Sequence, residues 1–313
     1  MAVDPQVQAL LNAAARSGRM PINHFPPVEA RLQFKEMRRA LLPPTPDIGS
    51  VNDFSVPSTR GPIPVRHYRP AGKNISEVLP VLIYFHGGGW VVGDLESHDA
   101  LCRQLSNGAG CAVIAVDYRM GPEHKFPAAV DDAEATVRYV SEQARSLTID
   151  ATRIAVGGDS AGGNLATIVS LLCRDRGGPA LKFQLLIYPA TDMAMEHASQ
   201  FLFAEGYNLT RELMLYFRGH YLNDPAEIKD WRASPLLSLD HSKLPSAHII
   251  TAGFDPLRDE GKAYADALSA AGVATTYRCY DGMIHGFITM SGVLDVAHEA
   301  IADCVAVLRA KLG

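Results

Sequence analysis

No stretch of this 313-residue chain stays apolar for anything near the roughly 20 residues that a membrane-spanning helix needs. The opening Met1-Ala2-Val3-Asp4-Pro5 carries no basic segment leading into an apolar core, so no secretory leader is expected and the cytoplasm is the expected compartment. An excess of one charge sign is missing too. The formal net charge is −5, with acids and bases interspersed, a balance that favours neither nucleic acid nor an anionic membrane as a partner. Cysteine is scarce: Cys102, Cys111, Cys173, Cys279 and Cys304 are an odd count without paired spacing, which argues against a disulfide framework and reads as buried thiols. Internal repeats and low-complexity tracts are absent. So are the Gly-Lys-Ser/Thr ending and the G-x-G-x-x-G pattern of phosphate-cradling loops.

What is present suits a globular enzyme. Hydrophobic residues make up 47% of the chain and charged residues 20%, enough to bury a large core, so one catalytic domain with an accessory piece is expected. Pro5 to Ser17 and Pro27 to Leu41 carry apolar residues at helical spacing and stop before Pro43-Pro44 and Pro46; they predict two amphipathic helices outside the main sheet. Val51 to Val56 and Pro64 to Tyr68, on either side of Thr59-Arg60-Gly61, predict an antiparallel pair. From Pro80 onward short apolar runs alternate with helical stretches. The runs are Val81 to Phe85, Cys111 to Val116, Arg153 to Val156, Phe183 to Tyr188, His248 to Ala252 and Thr275 to Tyr280. The helical stretches are Asp99 to Asn107, Ala128 to Arg145, Asn164 to Arg174, Asp259 to Ala271 and Val293 to Lys311. This rhythm predicts an α/β fold, a mostly parallel sheet with helices on both faces.

One interruption stands out between Pro189 and Pro245, longer than a crossover helix requires. It contains a helical piece, Thr210 to Tyr221, with Thr210 as its cap, and apolar residues Phe201, Phe203, Leu209 and Met214 that either fill core or line an acyl pocket. The segment reads as an insertion over the carboxyl edge of the sheet, with the N-terminal helices as its candidate companions.

The segment Val156-Gly157-Gly158-Asp159-Ser160-Ala161-Gly162-Gly163-Asn164 joins a predicted strand to a predicted helix. Gly158, Ser160 and Gly162 spell G-x-S-x-G, in the strand-to-helix context where a nucleophile elbow occurs. A tight turn there strains the central residue and projects its hydroxyl outward, while small neighbours keep strand and helix apart. Ser160 is therefore the candidate nucleophile. The plainer reading is a glycine-rich connection whose helix is capped by Ser160 or Asp159.

A serine hydroxyl needs a base to remove its proton, and a histidine base needs a carboxylate to fix its tautomer. Partners to an elbow serine follow it in the order Asp/Glu, then His. Of the 11 histidines, His197, His220, His241, His248, His285 and His298 lie after Ser160. His298 falls in the terminal helical pattern and His248 at the start of a strand. His285, in the turn Asp281-Gly282-Met283-Ile284-His285-Gly286-Phe287 beyond the last strand, is the best base. Asp255 directly follows the strand ending at Ala252. An Asp before a Pro also reads as a helix N-cap, with Asp259 as a first-turn acid and the fallback carboxylate. The loop His86-Gly87-Gly88-Gly89-Trp90 follows the strand ending at Phe85, where backbone N–H groups can approach an oxyanion together with the N–H of Ala161.

Taken together, these motifs resemble the bacterial hormone-sensitive-lipase family of carboxylesterases. The resemblance rests on His86-Gly87-Gly88-Gly89-Trp90, Tyr118-Arg119 with Pro122-Glu123-His124-Lys125-Phe126-Pro127-Ala128, Gly158-Asp159-Ser160-Ala161-Gly162-Gly163, Asp255-Pro256-Leu257-Arg258-Asp259 and His285-Gly286-Phe287. It implies an α/β-hydrolase fold with Ser160, Asp255 and His285 as triad, and Gly88, Gly89 and Ala161 as oxyanion donors. It also implies a cap, divided here as residues 1–50 plus an insertion over 190–240, on a catalytic domain spanning 51–313. Members typically hydrolyse esters of short to medium acyl chains without a cofactor or metal, so a small-molecule ester is the expected partner, with a homodimer left open. Met120-Gly121, where many members have Leu-Ala before Pro122, is a departure that bears on local packing only. Three rival readings stay open. An amidase or thioesterase would use the same triad, a true interfacial lipase would prefer emulsified long-chain lipid, and a ligand-binding receptor on the same scaffold commonly lacks a triad member.

Overall fold

Val81-Leu82-Ile83-Tyr84-Phe85 offers no polar side chain to water, and it lies in the interior of the sheet. The computed structural model describes residues 2–313. Its strands are β1 (Ser50–Val56), β2 (Ile63–Arg69), β3 (Leu79–Phe85), β4 (Ala112–Val116), β5 (Ile149–Asp159), β6 (Leu181–Ile187), β7 (Ser246–Phe254) and β8 (Thr275–Ile284). They form one eight-stranded sheet in the order β1-β2-β4-β3-β5-β6-β7-β8. β2 is antiparallel to both of its neighbours, and every other pairing is parallel.

The helices are α1 (Pro5–Arg16), α2 (Pro27–Arg39), α3 (Asp99–Ala109), α4 (Ala128–Glu142), α5 (Ala161–Asp175), α6 (Ser199–Leu202), α7 (Arg211–Tyr221), α8 (Arg258–Ala270) and α9 (Asp295–Leu312). Strand side chains alternate between two cores. Val81, Ile83 and Phe85 of β3 join Ile114 of β4 and the inner faces of α4, α5 and α8. Leu82 and Tyr84 of β3 join Val113 of β4 on the side covered by α3 and α9. Because both faces are covered, strands whose side chains alternate between the faces are apolar without interruption. α5 is the central helix, and every residue from Ala161 to Cys173 is buried.

Three of the boundaries that differ from the sequence reading bear on the rim of the sheet, each for a reason of pairing. β5 continues past Val156 through Gly157-Gly158-Asp159 because it is bonded to β3 on one side and β6 on the other; glycine carries no strand signal of its own. α5 accordingly starts at Ala161 instead of Asn164. β8 runs on to Ile284, so Asp281 and Gly282 belong to a strand and only His285-Gly286 turns. Among the cysteines, Cys279 is half-buried where a buried thiol was expected; the other four are buried, and none is bridged.

A third apolar cluster lies above the sheet. Ile22, Ala30, Val91, Val92 and Phe217 bring together α2, the segment after Gly89 and α7 of the 189–245 interruption. Arg31 of α2 fastens this layer by donating to the carbonyls of Val91 and Gly121, both at 2.8 Å, and Tyr216 of α7 donates to the Phe25 carbonyl at 3.0 Å. α1 goes elsewhere: Asp4 N donates to Gly282 O of β8 at 3.0 Å, and Val7 is buried beside Met283 and Leu294.

Candidate active site

Strand register decides which loops meet. Phe85 of β3 is paired with Gly158 of β5, Asp159 with Ile187 of β6, and Phe254 of β7 with Ile284 of β8. The next residues along these chains, His86, Ser160, Tyr188, Asp255 and His285, therefore emerge along one rim, at the carboxyl ends of the parallel strands, where open α/β sheets bind ligands.

At the elbow, Ser160 has φ 56° and ψ −117°. The strain is held by neighbours with no room for a side chain. A Cβ on Gly158 would stand 2.3 Å from the Phe85 carbonyl oxygen, and one on Gly162 would stand 1.8 Å from it. Ser160 N donates to Ile187 O at 2.9 Å, which ties the turn to β6. The Ser160 side chain makes no capping bond to α5. Instead its Oγ lies 2.9 Å from His285 Nε2, and His285 Nδ1 lies 2.7 Å from Asp255 Oδ2. A carboxylate only accepts, so Nδ1 carries the proton and Nε2 is left to accept from the serine hydroxyl.

Asp255 is fully buried, and its second oxygen accepts from Leu257 N at 2.8 Å. The helix that follows begins at Arg258, so Asp255 is not its N-cap and Pro256 is not its first residue. Asp259 is directed elsewhere: its carboxylate accepts from Ser199 N at 2.8 Å and from Arg258 Nε at 2.8 Å. His285 is held from three sides. Its carbonyl accepts from Asn208 Nδ2 at 2.9 Å, its ring packs at 4.6 Å against Tyr188, and Gly286 turns the chain with φ 83°.

Beside the elbow, the glycine loop folds on itself: Val91 N and Val92 N both donate to Gly88 O, while Gly88 and Gly89 have φ of 126° and 59°. Among the described residues, the N–H groups of Gly88, Gly89 and Ala161 donate to nothing within the chain. Phe217 of α7 closes over Gly89, 2.2 Å from where a Cβ would stand. His86, at the head of the loop, is a pillar. Its ring stacks on Tyr118 at 4.4 Å, its carbonyl accepts from Tyr118 OH at 2.6 Å, and burial with His98 nearby pushes its pKa down to about 4.

The sequence reading missed the part played by Asp159, entertained only as a helix cap. It is buried and points under the glycine loop: Oδ1 accepts from Gly87 N at 3.0 Å and Tyr84 OH at 2.8 Å. His98 Nε2 lies 3.1 and 3.3 Å from the two carboxylate oxygens. Burial alone would raise the Asp159 pKa, but His98, the Tyr84 hydroxyl and the charge of Arg38 outweigh it and hold the carboxyl below its usual range. An acid at an apolar strand end marks a buried carboxylate, but nothing local to it names Gly87, Tyr84 or His98 as its partners. His98 and Tyr188 carried no such mark.

Of the apolar candidates for an acyl pocket, Leu209 is buried, Met214 half-buried and Phe201 60% exposed. Phe203 packs edge-on to Phe254 and Tyr207, both centroids at 5.5 Å. Among the described residues no group of three or more His, Cys, Asp or Glu side chains is placed to hold a metal, and no helix is long and apolar enough to cross a membrane.

Comparison with known proteins places the fold. Residues 82–289 match a family described as alpha/beta hydrolase fold. The chain is 44% identical to the carboxylic ester hydrolase LipN of Mycobacterium tuberculosis over 269 residues, 84% of this chain and 71% of LipN. It is 38% identical to the ethyl acetate hydrolase of Pseudomonas putida over the whole of both chains. A solved ester hydrolase from the metagenome of Lake Arreo superposes with a TM-score of 0.94 at 44% identity, covering 98% of each chain.

Proposed function

Since the chain belongs to the α/β-hydrolase-fold family, on its hormone-sensitive-lipase-like side, we propose that it is a serine carboxylesterase acting on small esters of short to medium acyl chains. The observation that carries this is the hydrogen-bonded line from Ser160 Oγ through His285 to Asp255, at 2.9 and 2.7 Å. In the first half-reaction Ser160 Oγ attacks the ester carbonyl as its proton passes to His285 Nε2. Asp255, buried and fixed by Leu257 N, stabilises the imidazolium that forms. The carbonyl oxygen becomes an oxyanion received by the free N–H groups of Gly88, Gly89 and Ala161, each worth about 3 kcal/mol in the transition state. His285 returns its proton to the departing alcohol, and water then hydrolyses the acyl-enzyme by the same steps in reverse order. No cofactor or metal enters this scheme.

We assign α2 and the 190–240 insertion to a cap over this rim, because Phe217 of α7 meets Gly89 and because α2 and α7 share one apolar cluster. Five cysteines without a disulfide suit a reducing compartment, the cytoplasm.

Ser160→Ala is the direct test. It is expected to abolish cleavage of p-nitrophenyl esters and covalent labelling by an organophosphate while the thermal unfolding midpoint stays close to that of the parent. Retained burst kinetics in this variant would remove Ser160 from the role. A chain-length series of p-nitrophenyl esters beside the matched amide and thioester separates esterase from its near rivals, since only an esterase shows the ester as the best substrate throughout.

A further inference from the structure

Arg38, in the last turn of α2, is a buried cation without a counter-ion. It is 7% exposed, and its Nε has no acceptor. One of its terminal nitrogens meets the Thr289 hydroxyl, and among the described residues no carboxylate comes within ion-pair distance. The carboxylate that acts on it from further away, Asp159, already serves Gly87, Tyr84 and His98. Burial lowers the Arg38 pKa, the mark of a charge short of compensation. Leaving a buried charge unpaired is among the more costly arrangements in a folded protein.

Beside Arg38 lies a cavity of about 340 Å³ between α2 and the turn leading into α3, with Lys35, Arg38, Arg39, Glu96, Ser97 and Asp99 in its wall. At ~30 Å³ per water-sized group it has room for on the order of ten heavy atoms. Its charges do not cancel. Glu96 is taken by Arg66 at 2.8 Å, and Asp99 is taken by Arg103 at 2.7 Å and Tyr68 OH at 2.9 Å. Lys35 is spent on Asp94 at 3.2 Å. Arg38 and Arg39 remain without a carboxylate partner.

We propose that this cavity is a binding site for a small oxyanion, a carboxylate or a phosphate, held between Arg38 and Arg39. The guanidinium fork matches both kinds of oxyanion, and the two cations in excess supply the charge that the wall lacks. The site is separate from the triad and joined to it on two sides. Thr289 Oγ1, which Arg38 meets, donates to Gly286 O at 2.9 Å, one residue past His285. Ser97 Oγ lies 2.9 Å from His98 Nδ1, and His98 in turn holds Asp159. An occupant would pin α2 against the loops that carry the catalytic groups.

The test is a titration of the full-length protein with sodium acetate and with sodium phosphate, each against sodium chloride at matched ionic strength and pH, read as the thermal unfolding midpoint and by calorimetry. A saturable rise beyond the chloride control is expected, on the order of 3 °C at a hundredfold excess over Kd. Arg39→Gln, a surface change, is expected to weaken the saturating anion about tenfold or more, and Arg38→Met to remove the saturable component. Should Arg38→Met fail to fold, Arg38→Lys with Arg39→Gln carries the same measurement. Saturation at lower acetate concentration assigns the site to carboxylates, the class of acid that ester hydrolysis releases; saturation at lower phosphate assigns it to phosphates. A rise equal to that of chloride, or one that Arg39→Gln and the Arg38 variants leave unchanged, overturns the proposal, the second result placing the anion elsewhere on the chain.

Discussion

Ser160 occupies a backbone region at φ 56° and ψ −117° that costs a non-glycine residue about 1–3 kcal/mol, and what sustains it is the absence of side chains at Gly158 and Gly162. Its nature and those of His285 and Asp255 were legible in the chain because each carries its chemistry in a single side chain, and because their order filters the candidates. The role of Asp159 was not legible, since its hydrogen bond to Gly87 crosses from β5 to β3, 72 residues apart. On the proposed function, its removal is expected to act through the glycine loop more than through ground-state binding. In Asp159→Asn a side chain with two accepting oxygens becomes one with a single accepting oxygen, so at least one of Gly87 N, Tyr84 OH and His98 loses its acceptor. The expected result is a fall in kcat of about 10- to 100-fold with KM changed less than about threefold, since oxyanion donors act in the transition state. Steady-state kinetics checks it, and a raised KM at unchanged kcat would point to substrate binding instead.

The elements of this fold act through where they end. β7 and β8 are paired up to Phe254 and Ile284, so the loops carrying Asp255 and His285 start side by side. β5 was drawn too short from the chain alone, because Gly157-Gly158 carry no strand preference and only the bonds to β3 and β6 extend it. At α8 the chain left two readings: Asp255-Pro256 has the composition of a helix start, yet the helix begins at Arg258, within one residue of the expected Asp259, and leaves Asp255 free to face His285. α7 matters through one ring. A methyl on Gly89 would meet Phe217 at 2.2 Å, at a φ of 59° that side chains rarely adopt. Gly89→Ala is expected to lower kcat by about 100-fold or more. Adding Phe217→Ala removes the ring atoms and leaves the Phe217 Cβ at 2.8 Å together with the torsional strain, so the double variant should recover roughly tenfold over Gly89→Ala and stay below the parent. Kinetics of the two single variants and the double, taken well below their unfolding midpoints, measures the coupling between α7 and the glycine loop; strict additivity would mean that they do not touch in solution.

Across the whole molecule, one of the ties between the 189–245 interruption and the rest of the fold is a buried acid. Glu260 of α8 is fully buried and accepts from Thr191 N at 2.7 Å, Asp192 N at 3.2 Å and Gln200 Nε2 at 2.8 Å, with no cation among them. Burial raises its pKa from 4.5 to about 8, the three donors offsetting only part. An acid with a raised folded-state pKa binds its proton more tightly when folded. The stability it contributes is therefore complete below pH 4.5 and is lost as pH rises through about 8. The parent is expected to lose several degrees of thermal midpoint between pH 5 and pH 9 that Glu260→Gln does not lose, because the amide keeps an acceptor for Thr191 and carries no charge at any pH. Parallel losses in both proteins would show that Glu260 ionises freely in the fold.

The chain by itself determined the α/β alternation, the strained serine turn, the glycine loop and the short set of residues able to serve as base and acid. Each strand, helix, turn and loop among these is written in a short local stretch, where backbone preference and side-chain chemistry act, and the chain order of the motifs does the rest. Only the tertiary structure decided that Asp255 and not Asp259 meets His285, that Asp159 braces the glycine loop, and that Arg38 is buried unpaired beside a cavity. Those facts depend on strand order and register, which bring together residues far apart in sequence, and no local pattern records which distant side chain will arrive at a given place.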